Sequence, residues 1–133
     1  MKDITFAKLS QVKTLAGKTA QALKGGEIFA LLGPLGSGKT AFVKAVGKAL
    51  KIKRNIPSPT FILMQGFEAR LKNRKEVVIF HLDLYRLHNF REVKALGLTE
   101  FWGKPNTVTF IEWADKIERN LPKKTKFIKF ITK

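Results

Sequence analysis

A chain of 133 residues, 44% of them apolar and eleven of them Phe, has enough to bury one core and no room for a second substantial domain. It has no Cys, which excludes disulfides, thiol catalysis and cysteine zinc sites together, and its opening "MKDITF" carries no apolar signal-peptide core. The balance of 26 Lys and Arg against 10 Asp and Glu, a formal charge of +16, favours contact with a polyanion such as RNA, although the lysines are scattered through most segments, as a skewed genome would also place them.

In chain order, "DITF" reads as a short strand and Ser10 as the cap of a helix from Gln11 to about Leu23, ended by Gly25 and Gly26. "EIFALLG" reads as a buried strand. A glycine loop follows, and "KTAFVKAVGKAL" then places Phe42, Val43, Val46 and Leu50 on one helical stripe. After the Pro-punctuated loop "NIPSPT", "FILMQGF" and "KEVVIFHLDLYR" read as two strands of a hairpin joined through the polar "EARLKNR". His88 to Leu96 reads as a short helix closed by Gly97, "NTVTFIEW" as a continuous apolar strand, and "KTKFIKFITK", alternating Lys with Phe and Ile, as an edge strand. The longest uncharged runs, such as "NIPSPTFILMQGF", hold Pro, Gly and polar residues and fall short of the roughly 20 apolar residues a membrane helix needs. No membrane contact and a cytoplasmic location are therefore expected.

The strand, loop and helix around residues 31–40, "LLGPLGSGKT", carry the first chemistry. Gly33, Gly38, Lys39 and Thr40 satisfy G-x-x-x-x-G-K-[ST], with Gly36 an extra glycine inside the pattern. Glycines let successive amides turn inward around phosphate oxygens, Lys39 can reach terminal phosphates, the Thr40 hydroxyl can ligate magnesium, and the helix directs its positive end at the anion. The candidate cradle comprises Gly33, Pro34, Leu35, Gly36, Ser37, Gly38, Lys39 and Thr40, with Ala41 beyond. A nucleotide site also needs a carboxylate at the end of a neighbouring strand, and two qualify: Asp83 after "VVIFHL" and Glu112 after "VTFI". Each closes an apolar run, where a charge is costly unless a cation or hydrogen bonds receive it. His81 shares a strand face with Asp83 by alternation and could tune that carboxylate, or be a structural His. Trp102 and Trp113 read as core or rim aromatics more than nucleotide stackers.

Taken together, "GPLGSGKT", "SPTF", "HLDLYRL" and "IEW", in this order and spacing over nearly the whole chain, resemble the bacterial TsaE proteins, ATPases of tRNA threonylcarbamoyladenosine synthesis. The last three motifs are the discriminating ones, because unrelated NTPases share the loop without them. The resemblance implies that the loop binds ATP, that Thr40 and Glu112 ligate Mg2+, and that Asp83 and Thr60 act at the catalytic or switch region, with Tyr85 and Arg86 next to a switch or partner surface. It further implies a partner, the TsaB and TsaD assembly that modifies the adenosine beside the anticodon, on which a TsaE protein docks and which it resets by ATP turnover. Two positions depart from the family: Pro34 stands where Asp is usual, and Ala41 where a second Thr is frequent.

The expectation is thus one α/β P-loop ATPase domain over residues 1–133, a mostly parallel sheet with flanking helices and antiparallel strands at its margin. The alternatives are a small-molecule P-loop kinase, which would need an acceptor pocket and a mobile Arg-bearing lid, and a basic RNA-binding module with a vestigial loop. Indirect or weak direct contact with tRNA is expected alongside the TsaB and TsaD partners, whereas the RNA-binding module would bind tRNA tightly and regardless of ATP.

Overall fold

Thr107–Glu112 is buried at every position, which a strand achieves only with neighbours on both edges and layers on both faces. It is the sixth of seven strands in the computed structural model, which describes residues 2–5, 9–56 and 63–131. The elements are β1 (Lys2–Thr5), α1 (Leu9–Ala22), β2 (Ile28–Leu32), α2 (Lys39–Ala49), β3 (Arg54–Ile56), β4 (Met64–Arg70), β5 (Glu76–Asp83), α3 (Phe90–Ala95), β6 (Thr107–Glu112), a 3-10 helix (Ala114–Asn120) and β7 (Lys126–Ile131). The sheet order is β1-β7-β2-β6-β5-β4-β3. β1, β7, β2, β6 and β5 run parallel, and β4 and β3 join antiparallel at one margin, the architecture expected from the sequence.

Alternation along the strands sorts side chains into two cores. Phe29 and Leu31 of β2, Val108 and Phe110 of β6 and Ile79 of β5 meet α1 and α2 on one face, where Phe42 sits edge-on to both Phe110 and Phe130. Ile28 and Ala30, Ile111, and Phe80 and Leu82 meet α3 and the 3-10 helix on the other. The stripe of Phe42, Val43, Val46 and Leu50 is buried as its spacing requires.

Several boundaries differ from expectation. α1 begins at Leu9, so Ser10 lies in its first turn and is not its cap. Asn55 and Ile56, read as loop, form part of β3, and β4 lies at 64–70, reaching through residues assigned to the connection. The alternating β7 is not an edge: it lies between β1 and β2, both parallel to it. α3 is trimmed to Phe90–Ala95, with the Asn89 side chain accepting from the Glu92 amide as N-cap and Gly97 in the left-handed region at φ +74°. "SPTF", and Thr60 with it, lies outside the described residues.

Candidate nucleotide site

The carboxyl end of β2 runs into the glycine loop, and the sheet explains what gathers there. Asp83 ends β5 and Glu112 ends β6, directly paired in register, and Leu31 of β2 is paired with Glu112 from the other side. By alternation Glu112 shares a face with Val108 and Phe110, and His81 and Asp83 share one with Val77 and Ile79, which is the face that α2 covers. Two strand ends and one helix start therefore converge without any long-range coincidence.

In the loop, Gly33, Gly36 and Gly38 have φ of +148°, +76° and +110°. A Cβ on Gly33 would lie 2.7 Å from the Phe130 carbonyl oxygen and 2.9 Å from Ser37 Oγ, so packing as well as conformation demands glycine there. The Ser37 hydroxyl is buried without a hydrogen-bond partner among the described residues. Lys39, only 4% exposed, folds back across the loop. Its ammonium donates to the Gly33 carbonyl, lies 3.4 Å from the Pro34 carbonyl and stands 3.9 Å from the centre of the Trp113 ring. Burial lowers its pKa, and the nearby charges of Glu112, Asp115 and Asp83 oppose that shift.

Glu112 is 4% exposed and is the best-supported carboxylate of the site. Thr40 Oγ1 donates to its Oε2 at 2.7 Å, and His81 Nε2 meets the same oxygen at 2.5 Å. An ionised carboxylate only accepts, so the His81 Nε2 carries the proton. Burial pushes the Glu112 pKa up, but hydrogen bonds from His81 and Thr40, with the charges of His81 and Lys39, outweigh it and hold the group below its ordinary value. His81 thus serves Glu112 and not Asp83, the carboxylate that alternation suggested: it reaches across to the adjacent strand. Asp83 stands half-buried, its Oδ1 accepting from the Tyr85 amide at 3.0 Å as the start of a tight turn.

Trp113 is the conformational outlier. It holds φ 61° and ψ 34°, a region that a bulky side chain rarely enters, at the cap of the 3-10 helix. Its ring faces Lys39 on one side and lies 5.0 Å from that of Tyr85, which is 55% exposed. Trp113 therefore walls the glycine loop at Lys39, whereas Trp102 packs against Phe90 away from it. One contributor escaped sequence reasoning. Lys116, one lysine among many, has its ammonium 3.4, 2.5 and 2.9 Å from the carbonyl oxygens of Leu84, Tyr85 and Leu87, pinning the turn after Asp83 to the segment after Glu112.

Thr40, Lys44, Gln65, His81, Asp83 and Glu112 open onto a cavity of ≈400 Å³ between α2 and the β4–β5 hairpin. A larger one, ≈680 Å³, lies between α1 and the start of β7, with no carboxylate and no loop amide. The chemistry places the site at the smaller cavity.

A family model described as "Threonylcarbamoyl adenosine biosynthesis protein TsaE" matches residues 6–133. The chain belongs to the TsaE family. Among curated relatives, the tRNA threonylcarbamoyladenosine biosynthesis protein TsaE of Bacillus subtilis is 36% identical over 112 residues, 84% of this chain and 66% of the relative. That of Aquifex aeolicus is 36% identical over 118 residues, 87% and 79% of the two chains. The chain therefore spans a little under two thirds of the length of the Bacillus protein. A crystal structure of the Bacillus subtilis protein YdiB superposes with a TM-score of 0.63 at 29% identity, covering 88% of this chain and 67% of that one. No helix among the described residues is long and apolar enough to cross a membrane.

Proposed function

We propose that this TsaE-family chain binds ATP with Mg2+ at the glycine loop and hydrolyses it slowly in support of threonylcarbamoyladenosine modification of tRNA, acting in the cytoplasm on a TsaB–TsaD assembly. The observation that carries the reading is the buried Glu112 carboxylate, 2.7 Å from the Thr40 hydroxyl at the mouth of a loop whose Ser37 hydroxyl has no hydrogen-bond partner, and whose Lys39 ammonium forms no ion pair, among the described residues. Two hard oxygen donors suit magnesium, which takes few protein ligands and completes its shell with phosphate oxygens and water. Among the described residues no three His, Cys, Asp or Glu side chains cluster to hold a metal unaided, in keeping with such a shared shell.

The residues divide the work. The N–H groups of Gly33 and of Leu35 to Thr40, with that of Ala41 beyond, would cradle phosphate, and Lys39 would exchange the Gly33 and Pro34 carbonyls for terminal phosphate oxygens. Thr40 and Glu112 hold the cation, and His81 keeps the Glu112 carboxylate aimed and ionised. Magnesium, when bound, neutralises charge that develops on the transferred phosphoryl group. Asp83 orients the attacking water, and Thr60 senses the terminal phosphate. Ala41 keeps its backbone N–H, and Pro34, which has none, leaves the cradle to the amides of Gly33 and of Leu35 onward.

Calorimetry with a non-hydrolysable ATP analogue tests the site. Lys39→Ala is expected to remain folded and to lose about 10- to 100-fold in affinity, the equivalent of one charge-assisted hydrogen bond of about 1.5–3 kcal/mol. Unchanged affinity would remove the loop from consideration.

A further inference from the structure

Residues 28–67 contain no Asp or Glu, and residues 4–27 contain Glu27 alone. That carboxylate is engaged locally, accepting from the amides of Lys24 at 2.7 Å and Gly25 at 2.8 Å. The fold turns this gap in the acids into a face. α1 and α2 pack side by side over one side of the sheet, and neither helix carries an acidic residue. Lys13, Lys18, Lys44 and Lys48 are exposed on them, and no ion pair among the described residues involves any of the four.

Cations elsewhere are differently placed. Lys53 and Arg70 pair with Glu76, each at 2.7 Å, and Arg54 pairs with Glu68. The opposite layer interleaves its charges, with Glu92 among Arg91 and Lys94, and Asp115 and Glu118 among Lys116 and Arg119. A lysine-rich composition would add cations to both layers; it would not strip carboxylates from one.

The bare face has a shape as well as a charge. Between α1 and α2 runs a groove of ≈450 Å³ whose floor is Ala41, Ala45 and Ala49, one per turn of α2, and whose rim is Lys13, Lys44 and Lys48. A floor of methyl groups lets a polymer backbone approach closely while ammonium groups on both sides meet its phosphates. We infer that the α1–α2 face is a docking surface for an RNA phosphate backbone, gripped by Lys13, Lys44 and Lys48 above the alanine floor. The choice of RNA rests on the tRNA-modification reading together with the charge complementarity. Contact of this kind is sequence-independent and is driven by counterion release.

The test is titration of unmodified tRNA against the full chain by fluorescence anisotropy, at salt from about 50 to about 200 mM. The wild type is expected to weaken steeply as salt rises. Lys13→Glu/Lys48→Glu should bind at least about 10-fold more weakly and lower the salt slope by about 1.4–1.8, two phosphate contacts' worth. Lys94→Glu/Arg119→Glu, with the same charge change on the opposite layer, should stay within about 2-fold of the wild type. If the charge reversal prevents folding, Lys13→Gln/Lys48→Gln reads the same slope. Calorimetry with the ATP analogue on each variant separates loss of this face from failure of the nucleotide reading. Equal losses in the two pairs, a salt-independent affinity, no tRNA binding at the lowest salt, or preference for anionic vesicles or an acidic peptide over tRNA would each overturn the proposal.

Discussion

A buried carboxylate is costly unless something receives its charge, and Glu112 shows two receivers sharing one oxygen: Thr40 at 2.7 Å and His81 at 2.5 Å, both on Oε2. Asp83, paired beside it in register, is half-buried and bonded to its own turn. The two acids should therefore fail differently. Glu112→Ala is expected to weaken ATP-analogue binding by 10-fold or more, on the order of 1.5–3 kcal/mol, in the presence of magnesium and little in its absence. Asp83→Ala should leave that affinity within about 3-fold and slow turnover by about 100-fold or more, as loss of a group that positions the nucleophile does. Magnesium titrations with single-turnover hydrolysis check both, and the reverse pattern would exchange the roles. Sequence alternation put His81 with Asp83 because it follows one strand; the partner that matters stands on the next strand, and only the β5–β6 register reveals it.

Among elements, β7 teaches most about reading sequence. From Ile128 to Ile131 of "KFIKFI" burial alternates because Lys129 and Ile131 are exposed on one face, and an edge strand would give the same pattern. Pairing with β1 makes β7 internal, with Ile128 and Phe130 in the core under α1 and α2 and Lys129 outward. Phe130 is 1% exposed and edge-on to Phe42, and its carbonyl oxygen abuts Gly33. Phe130→Ala is accordingly expected to destabilise the fold by about 3–5 kcal/mol in urea unfolding, the cost of an aromatic cavity in a closed core. A loss below about 1 kcal/mol would mean an edge-like environment at β7. The hairpin connection was legible in outline, but its register was not, because "FILMQGFEAR" is apolar or tolerant of strand geometry along its length.

For the molecule as a whole, the sheet brings the phosphate loop and the 83–87 turn to one end of the fold, where Lys116 and the left-handed Trp113 tie that turn to the end of β6. Under the proposed ATPase function such a surface would change with the terminal phosphate, and Tyr85 and Leu35 are exposed on the 83–87 turn and the loop. Alone, the chain should turn over ATP slowly; with TsaB and TsaD added, hydrolysis should rise by 10-fold or more as the partner completes the geometry, on the scale of about 1.4 kcal/mol per tenfold. Asp83→Ala should still dock in a pull-down yet fail to sustain repeated rounds of tRNA modification. Full multiple-turnover activity from that variant would refute the coupling.

The glycine loop, the apolar stripe of α2 and the acids closing two apolar runs were determined by sequence alone, because each is a local pattern: glycine where φ is positive, a 3.6-residue period, a charge at the end of a buried strand. So was family membership, carried by motifs in a set order. Tertiary structure alone decided which side chains meet. His81 found Glu112 through the pairing of β5 with β6, Lys39 found the face of Trp113 through a strained backbone at the end of β6, and Lys116 found the turn after Asp83 through the packing of the 3-10 helix. Each of these contacts joins segments separated by about 30 or more residues, a distance over which periodicity carries no information, and is set instead by strand order and register.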